Sequence, residues 1–176
     1  MRPPASATAV AVPPGHERVV TLRAVGHLNY ECRPLTGMAG AYAWTLAAYD
    51  ASLQHWTGFP VGRLYQGPTW AHRDGSKLTG ELIGSVAAGP DRLPLQLWRA
   101  RPGGRKGELS DVAFIRRINA VGDRAPAKRC TALLAGVLDK RGFQAEYEFF
   151  ARKTTPVSDG GGGRDFLLGV RVALRD

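Results

Sequence analysis

The segment His72-Arg73-Asp74-Gly75-Ser76 holds, within five positions, the three residue types of a hydrolytic triad. Triads assemble in space from separate segments, and neighbours in one tight turn cannot stack nucleophile, base and orienting acid. Asp74-Gly75 between two apolar-rich runs reads instead as a hairpin, both residues being central to a type I′ turn that needs positive φ at each. No G-x-S-x-G elbow accompanies it. Gly160 to Gly163 lacks the Lys-Ser/Thr that completes a phosphate-binding loop. The histidines, His16, His27, His55 and His72, show no metal-ligand spacing, so the expectation is no metal and no cofactor. A metal centre from His27, His72 and Asp74 would need their strands to be neighbours. Glu146 and Glu148 fall on one strand face beside Gln144, the pattern of a solvated sheet face rather than of an acid–base pair in contrasting environments.

What remains suits recognition. Trp70, His72, Lys77, Arg117 and Asn119 are polar or aromatic residues on strands otherwise spent on core, and they are the candidate ligand-binding residues. Arg117 and Asn119 share a face by two-residue alternation, opposite Arg116 and Ile118. A guanidinium there presents a bidentate fork to a carboxylate, sulfate or phosphate. Its competing use is as a strut that bonds loop carbonyls or pairs with Asp74, the usual fate of a buried arginine.

Strands must position these side chains. Val61 to Ala88 reads as strand, kink at Gln66-Gly67-Pro68, short strand, tight turn and long strand. Arg18–Val25 and His27–Arg33 read as strands with Gly26 as a bulge or bend between them. Leu28, Tyr30 and Cys32 alternate with polar neighbours, as do Phe143, Ala145, Tyr147 and Phe149. Ala41–Tyr49 sets Tyr42, Trp44 and Leu46 on one side. Leu93–Ala100, with Pro94 at its start or on an edge, and Val112–Asn119 are further strands. Leu133, Leu134, Val137 and Leu138 at helical spacing, with Gly142 as a stop, predict one short helix within Thr131–Lys140.

A chain of 176 residues, 44% hydrophobic and 22% charged, suits one domain with a real core and excludes disorder throughout. Its 22 Gly and 12 Pro favour short strands joined by turns. The expected architecture is mainly β, an antiparallel β-sandwich or flattened barrel of eight or more strands with one or two short helices. Residues 1–15 read as a mobile lead-in, 16–153 as the β domain and 154–164 as a Gly-rich linker. Residues 165–176 read as a final strand, with Phe166, Leu168, Val170, Val172 and Leu174 on one face. That strand is expected to pair with the domain's own sheet edge or with a neighbouring chain's, the second case giving a homo-oligomer.

The formal charge is +9, and 13 basic against 6 acidic residues lie between Arg99 and Lys153. No basic helix, zinc-finger spacing or RNP-type aromatic pattern accompanies them, so nucleic acid is not the expected partner. An anionic glycan or lipid surface is compatible with the charge. No 18-residue apolar span suggests a transmembrane helix. Met1–Gly15 has no apolar h-region, so either a leader was removed or the protein is cytosolic. Cys32 and Cys130 show no CxxC or zinc-like spacing and leave two readings open. They are free core thiols, or they form a disulfide that closes a loop of about 100 residues, worth about 4–5 kcal/mol in the chain-entropy model. Such a bond persists only in an oxidising compartment.

Taken together, several short motifs carry a resemblance. Leu22-x-Ala24-x-Gly26-x-x-x-Tyr30-x-Cys32 comes first. Gly67-Pro68-Thr69-Trp70, Asp74-Gly75-Ser76 and Gly80 follow, then Ile115-x-Arg117-x-Asn119-x-x-Gly122, Ala125-Pro126, Cys130 and Tyr147-x-Phe149-Phe150. In this order the chain resembles the domain-of-unknown-function family 3455 over roughly Arg18 to Phe150. The resemblance implies a small, often exported bacterial or fungal protein with Cys32 and Cys130 as a structural disulfide, and it implies no activity. The expected function is therefore a non-enzymatic binding or envelope/surface domain with a basic surface, secreted or periplasmic, whose partner is a ligand or protein, anionic chemistry among the candidates. The alternative is a small enzyme with a site assembled across strands around His72, Asp74 and Arg117.

Overall fold

The computed structural model describes residues 8–90, 92–122 and 124–154. Alternating apolar positions build eight strands: β1 (His16–Pro34), β2 (Tyr42–Gln54), β3 (Pro60–Gln66), β4 (Thr69–His72), β5 (Ser76–Val86), β6 (Leu95–Gly104), β7 (Val112–Gly122) and β8 (Leu138–Arg152). Each pairs antiparallel with the next, and β8 returns to pair with β1, so the sheet closes into an up-and-down barrel. Of the two expected architectures the barrel is the one formed. Closure gives the outermost strands partners, where an open sheet would leave them as edges.

The inward set is the one alternation selects. Leu22, Ala24, Leu28, Ala51, Leu53, Leu64, Trp70, Leu78, Trp98, Ile115, Phe143, Tyr147 and Phe149 are all buried in one cluster. The two N-terminal runs join into a single 19-residue strand that passes straight through Gly26. A Cβ at Gly26 would collide with the Asp50 carbonyl oxygen and the Ala51 backbone, so glycine is what lets β1 and β2 approach there.

Three local expectations change. The helix over Thr131–Lys140 shrinks to a 3₁₀ turn at Ala132–Leu134, because Leu138 onward is drawn into the β1 ladder. The β4–β5 turn is not type I′. Gly75 N–H donates to the His72 carbonyl at 3.0 Å, and of the two expected positive-φ residues only Gly75 has one. That is a type I turn closed by a left-handed glycine, which gives a three-residue loop. The outer face of β8 is also not simply solvated. Glu148 is 3% exposed and accepts from Arg18 Nη1 at 2.7 Å and Arg116 Nε at 2.8 Å.

Cys32, near the end of β1, is bonded to Cys130 in the β7–β8 connection, with Cα atoms 5.6 Å apart. Beside it Trp44 Nε1 donates to the Lys128 carbonyl at 2.8 Å, which seats that connection over one end of the barrel. At the N-terminus Val10 is buried, and the Ala9 carbonyl lies close against Gly84. The expected linker beyond Thr154 and the expected C-terminal strand lie outside the described residues.

Candidate functional site

Two short strands open the wall. β3 has seven residues and β4 four. The β2–β3 ladder starts at Tyr49↔Gln66, and the β4–β5 ladder stops at Thr69↔Thr79. Tyr42–Ala48 of β2 and Gly80–Val86 of β5 therefore have ladder partners only in β1 and β6. Between these edges, over the Gln66-Gly67-Pro68 tip, lies a cleft of about 360 Å³ lined among others by Leu46, Tyr49, Leu82, Gln96 and Trp98. Leu46 and Leu82 are exposed apolar rims, whereas Tyr49 and Trp98 belong to the buried interior. A larger depression of about 560 Å³ lies elsewhere, around Glu17, Asp111 and Arg152, and does not share these residues.

Beneath the cleft an aromatic layer surrounds one cation. Trp70 makes edge-on contacts with Trp98 and Tyr147 at centroid distances of 5.5 and 5.4 Å. Gly80 makes room for this layer, since a Cβ there would stand 2.8 Å from Trp70 Cζ3. Arg117, 4% exposed, lies with Cζ 5.7 Å from the Trp98 ring centre. Its Nε and Nη2 both donate to the Pro94 carbonyl, at 3.2 and 2.9 Å. No carboxylate among the described residues forms an ion pair with it. Burial pushes the Tyr49 and Tyr147 phenols up, and the neighbouring guanidinium only partly opposes this. Among the described residues Tyr147 Oη has no hydrogen-bond partner of good geometry.

His72 belongs to a different cluster. Its side chain is 8% exposed, with Nδ1 2.9 Å from Asp74 Oδ2 and Nε2 3.3 Å from Glu108 Oε2. The three residues bring ligand-type atoms within 4.8 Å of one another, yet each ring nitrogen faces a different carboxylate. A metal centre needs donors converging on one point; here an imidazole ring is clamped between two acceptors. Partial burial works to raise the Asp74 pKa, but hydrogen bonds from Ser76, the Glu108 N–H and His72 outweigh it and hold the carboxyl well below the usual range. The cluster pins the β4–β5 turn to the β6–β7 connection.

The five candidate binding residues thus separate. Trp70 and Arg117 meet in the interior through Trp98 and Tyr147. His72 sits with Asp74 at the end of the barrel where β7 begins, and exposed Lys77 flanks a shallow outer groove with Tyr65 and Arg101. Asn119, expected to share the Arg117 face, is exposed instead and donates to Glu146 Oε2 at 3.0 Å. A register shift between Ile118 and Val121, with Asn119 at φ 47°, turns the alternation over so that Ala120 points inward. Arg117 takes the carbonyl-strut partner and not Asp74. The cleft residues Leu46, Tyr49, Leu82, Gln96 and Trp98 were not among the candidates. The available signal was the closeness of Gln66-Gly67-Pro68 to Asp74-Gly75, which leaves β4 too short to fill the wall.

No curated protein and no solved structure matches the chain. Residues 53–151 match the family described as protein of unknown function (DUF3455). That span runs from the end of β2 to the end of β8 and takes in the hairpin that opens the cleft, Arg117 and Cys130, and on this match the chain belongs to the DUF3455 family.

Proposed function

We propose that this chain is a non-enzymatic binding domain that holds a small, largely apolar ligand in the cleft and works outside the cytoplasm. The observation that carries the reading is the split wall. Barrels of eight strands are just wide enough to be filled by their own side chains, and this one is filled, so a ligand enters where β3 and β4 fall short. A volume of about 360 Å³ with apolar rims and a few polar groups falls in the range of small-molecule sites. The Cys32–Cys130 bond supports an oxidising compartment.

The competing enzyme reading draws on His72, Asp74 and Arg117. His72 and Asp74 meet Glu108 just before β7, whereas Arg117 reaches Pro94 just before β6, at the other end of the antiparallel pair. Their separation supports binding over bond-breaking at these three residues.

The test is titration with N-phenyl-1-naphthylamine, a neutral fluorophore that brightens in apolar sites. We expect saturable binding, and Leu82→Asp on the exposed rim should weaken it by about tenfold or more. Absence of binding to the unaltered chain, or equal binding by the variant, rejects the cleft as the ligand site.

A further inference from the structure

We propose that the head group recognised in this cleft is a monoanion, and that Arg117 is the residue that selects it; the ligand class is an amphiphile with a single carboxylate-type charge. This rests on the reading of the cleft as a ligand site.

Arg117 stands apart from the other buried charges. Glu148, the other fully buried charge among the described residues, lies between Arg18 and Arg116, and the half-buried Asp139 lies between Lys128 and Arg141. Arg117 is 4% exposed, and its partners are a carbonyl oxygen, an indole face and two phenols, none of them anionic. A guanidinium carries five N–H donors, and the Pro94 carbonyl occupies two. Buried charges are ordinarily paired, because an uncompensated ion in a low-dielectric interior is costly.

Two further observations point the same way. Tyr147 is fully buried, and its hydroxyl, beside the guanidinium, finds no acceptor among the described residues and is free to donate. Gln96 lines the cleft and stands opposite Arg117 across β6–β7, which places the guanidinium one ladder partner away from the cleft lining. A head group that meets the guanidinium enters between Tyr49 and Trp98, the two cleft residues that contact it. One cation matches one negative charge; a phosphate dianion would bring a second that nothing here offsets. The rims at Leu46 and Leu82 suit an apolar body trailing toward solvent.

The experiment is isothermal titration of the full chain with two probes of equal chain length, dodecanoate and dodecanol, both below their aggregation concentrations. The expected result is that dodecanoate binds about tenfold or more tightly than dodecanol. Arg117→Met should bring that ratio close to one, and Tyr147→Phe should reduce it by about threefold. Equal affinity for the two probes in the unaltered chain, or a preference that persists in Arg117→Met, overturns the proposal while leaving the cleft as a binding site. Binding of neither probe overturns both. Should Arg117→Met fail to fold, the ratio in the unaltered chain and its change in Tyr147→Phe decide the matter.

Discussion

Arg117 spends two of its donors on a single acceptor, the Pro94 carbonyl, with Nε at 3.2 Å and Nη2 at 2.9 Å. One carbonyl satisfies the geometry of a strut but not the charge. A residue kept for stability alone would be served as well by an apolar side chain of similar volume. Arg117→Met should therefore unfold within about 1 kcal/mol of the unaltered chain, or above it, in urea titrations. A loss of about 3 kcal/mol or more would make the guanidinium a structural necessity and remove the argument that it is held for a ligand.

The Cys32–Cys130 bond joins residues 98 apart, so it restrains most of the barrel in the unfolded chain. Replacing both cysteines by serine should cost about 2–5 kcal/mol, read as a lower urea midpoint. Alkylation without reductant should label neither sulfur in the purified chain. Two labelled thiols at full stability would contradict the pairing.

Asp74 is held well below the usual carboxylate range, chiefly because Ser76, the Glu108 N–H and His72 hydrogen-bond to it against the opposing effect of burial. A carboxyl with a depressed folded-state pKa contributes stability that is fully present above its unfolded value, about 3.9, and is lost as pH falls toward its folded one. Urea midpoints should thus fall from pH 6 to pH 2, and Asp74→Asn should flatten the part of that fall below about pH 4. An identical slope in the variant would mean that other carboxylates carry the acid sensitivity.

Gly26 and Gly142 test close approach separately from strand propensity. A Cβ at Gly26 meets the β2 backbone, whereas at Gly142 nothing lies within 4 Å. Gly26→Ala should destabilise by about 1–3 kcal/mol through forced separation of β1 and β2. Gly142→Ala should stay within about 0.5 kcal/mol of the unaltered chain, because it sits in open space on β8. Equal costs at both sites would place the effect in the backbone rather than in packing.

How much of this was legible varies by element. Strand content was, since two-residue alternation in segments such as Phe143–Phe149 is a local property that any sheet must respect. The Thr131–Lys140 helix was not, because leucines spaced for a helix also serve a strand once β1 offers a ladder to Leu138. Asn119 shows the same limit: alternation placed it beside Arg117 until a bulge against β8 reversed its face.

By itself the sequence determined a β protein with its aromatic and aliphatic residues turned inward, and the family resemblance rested on motifs that can be read one after another. The tertiary structure alone decided that the sheet closes, that β3 and β4 leave a gap between β2 and β5, and that Arg117 ends among aromatic rings with no counter-charge among the described residues. The reason is physical. Period and turn chemistry act over a few residues, whereas closure, register and charge compensation depend on which distant strands lie side by side.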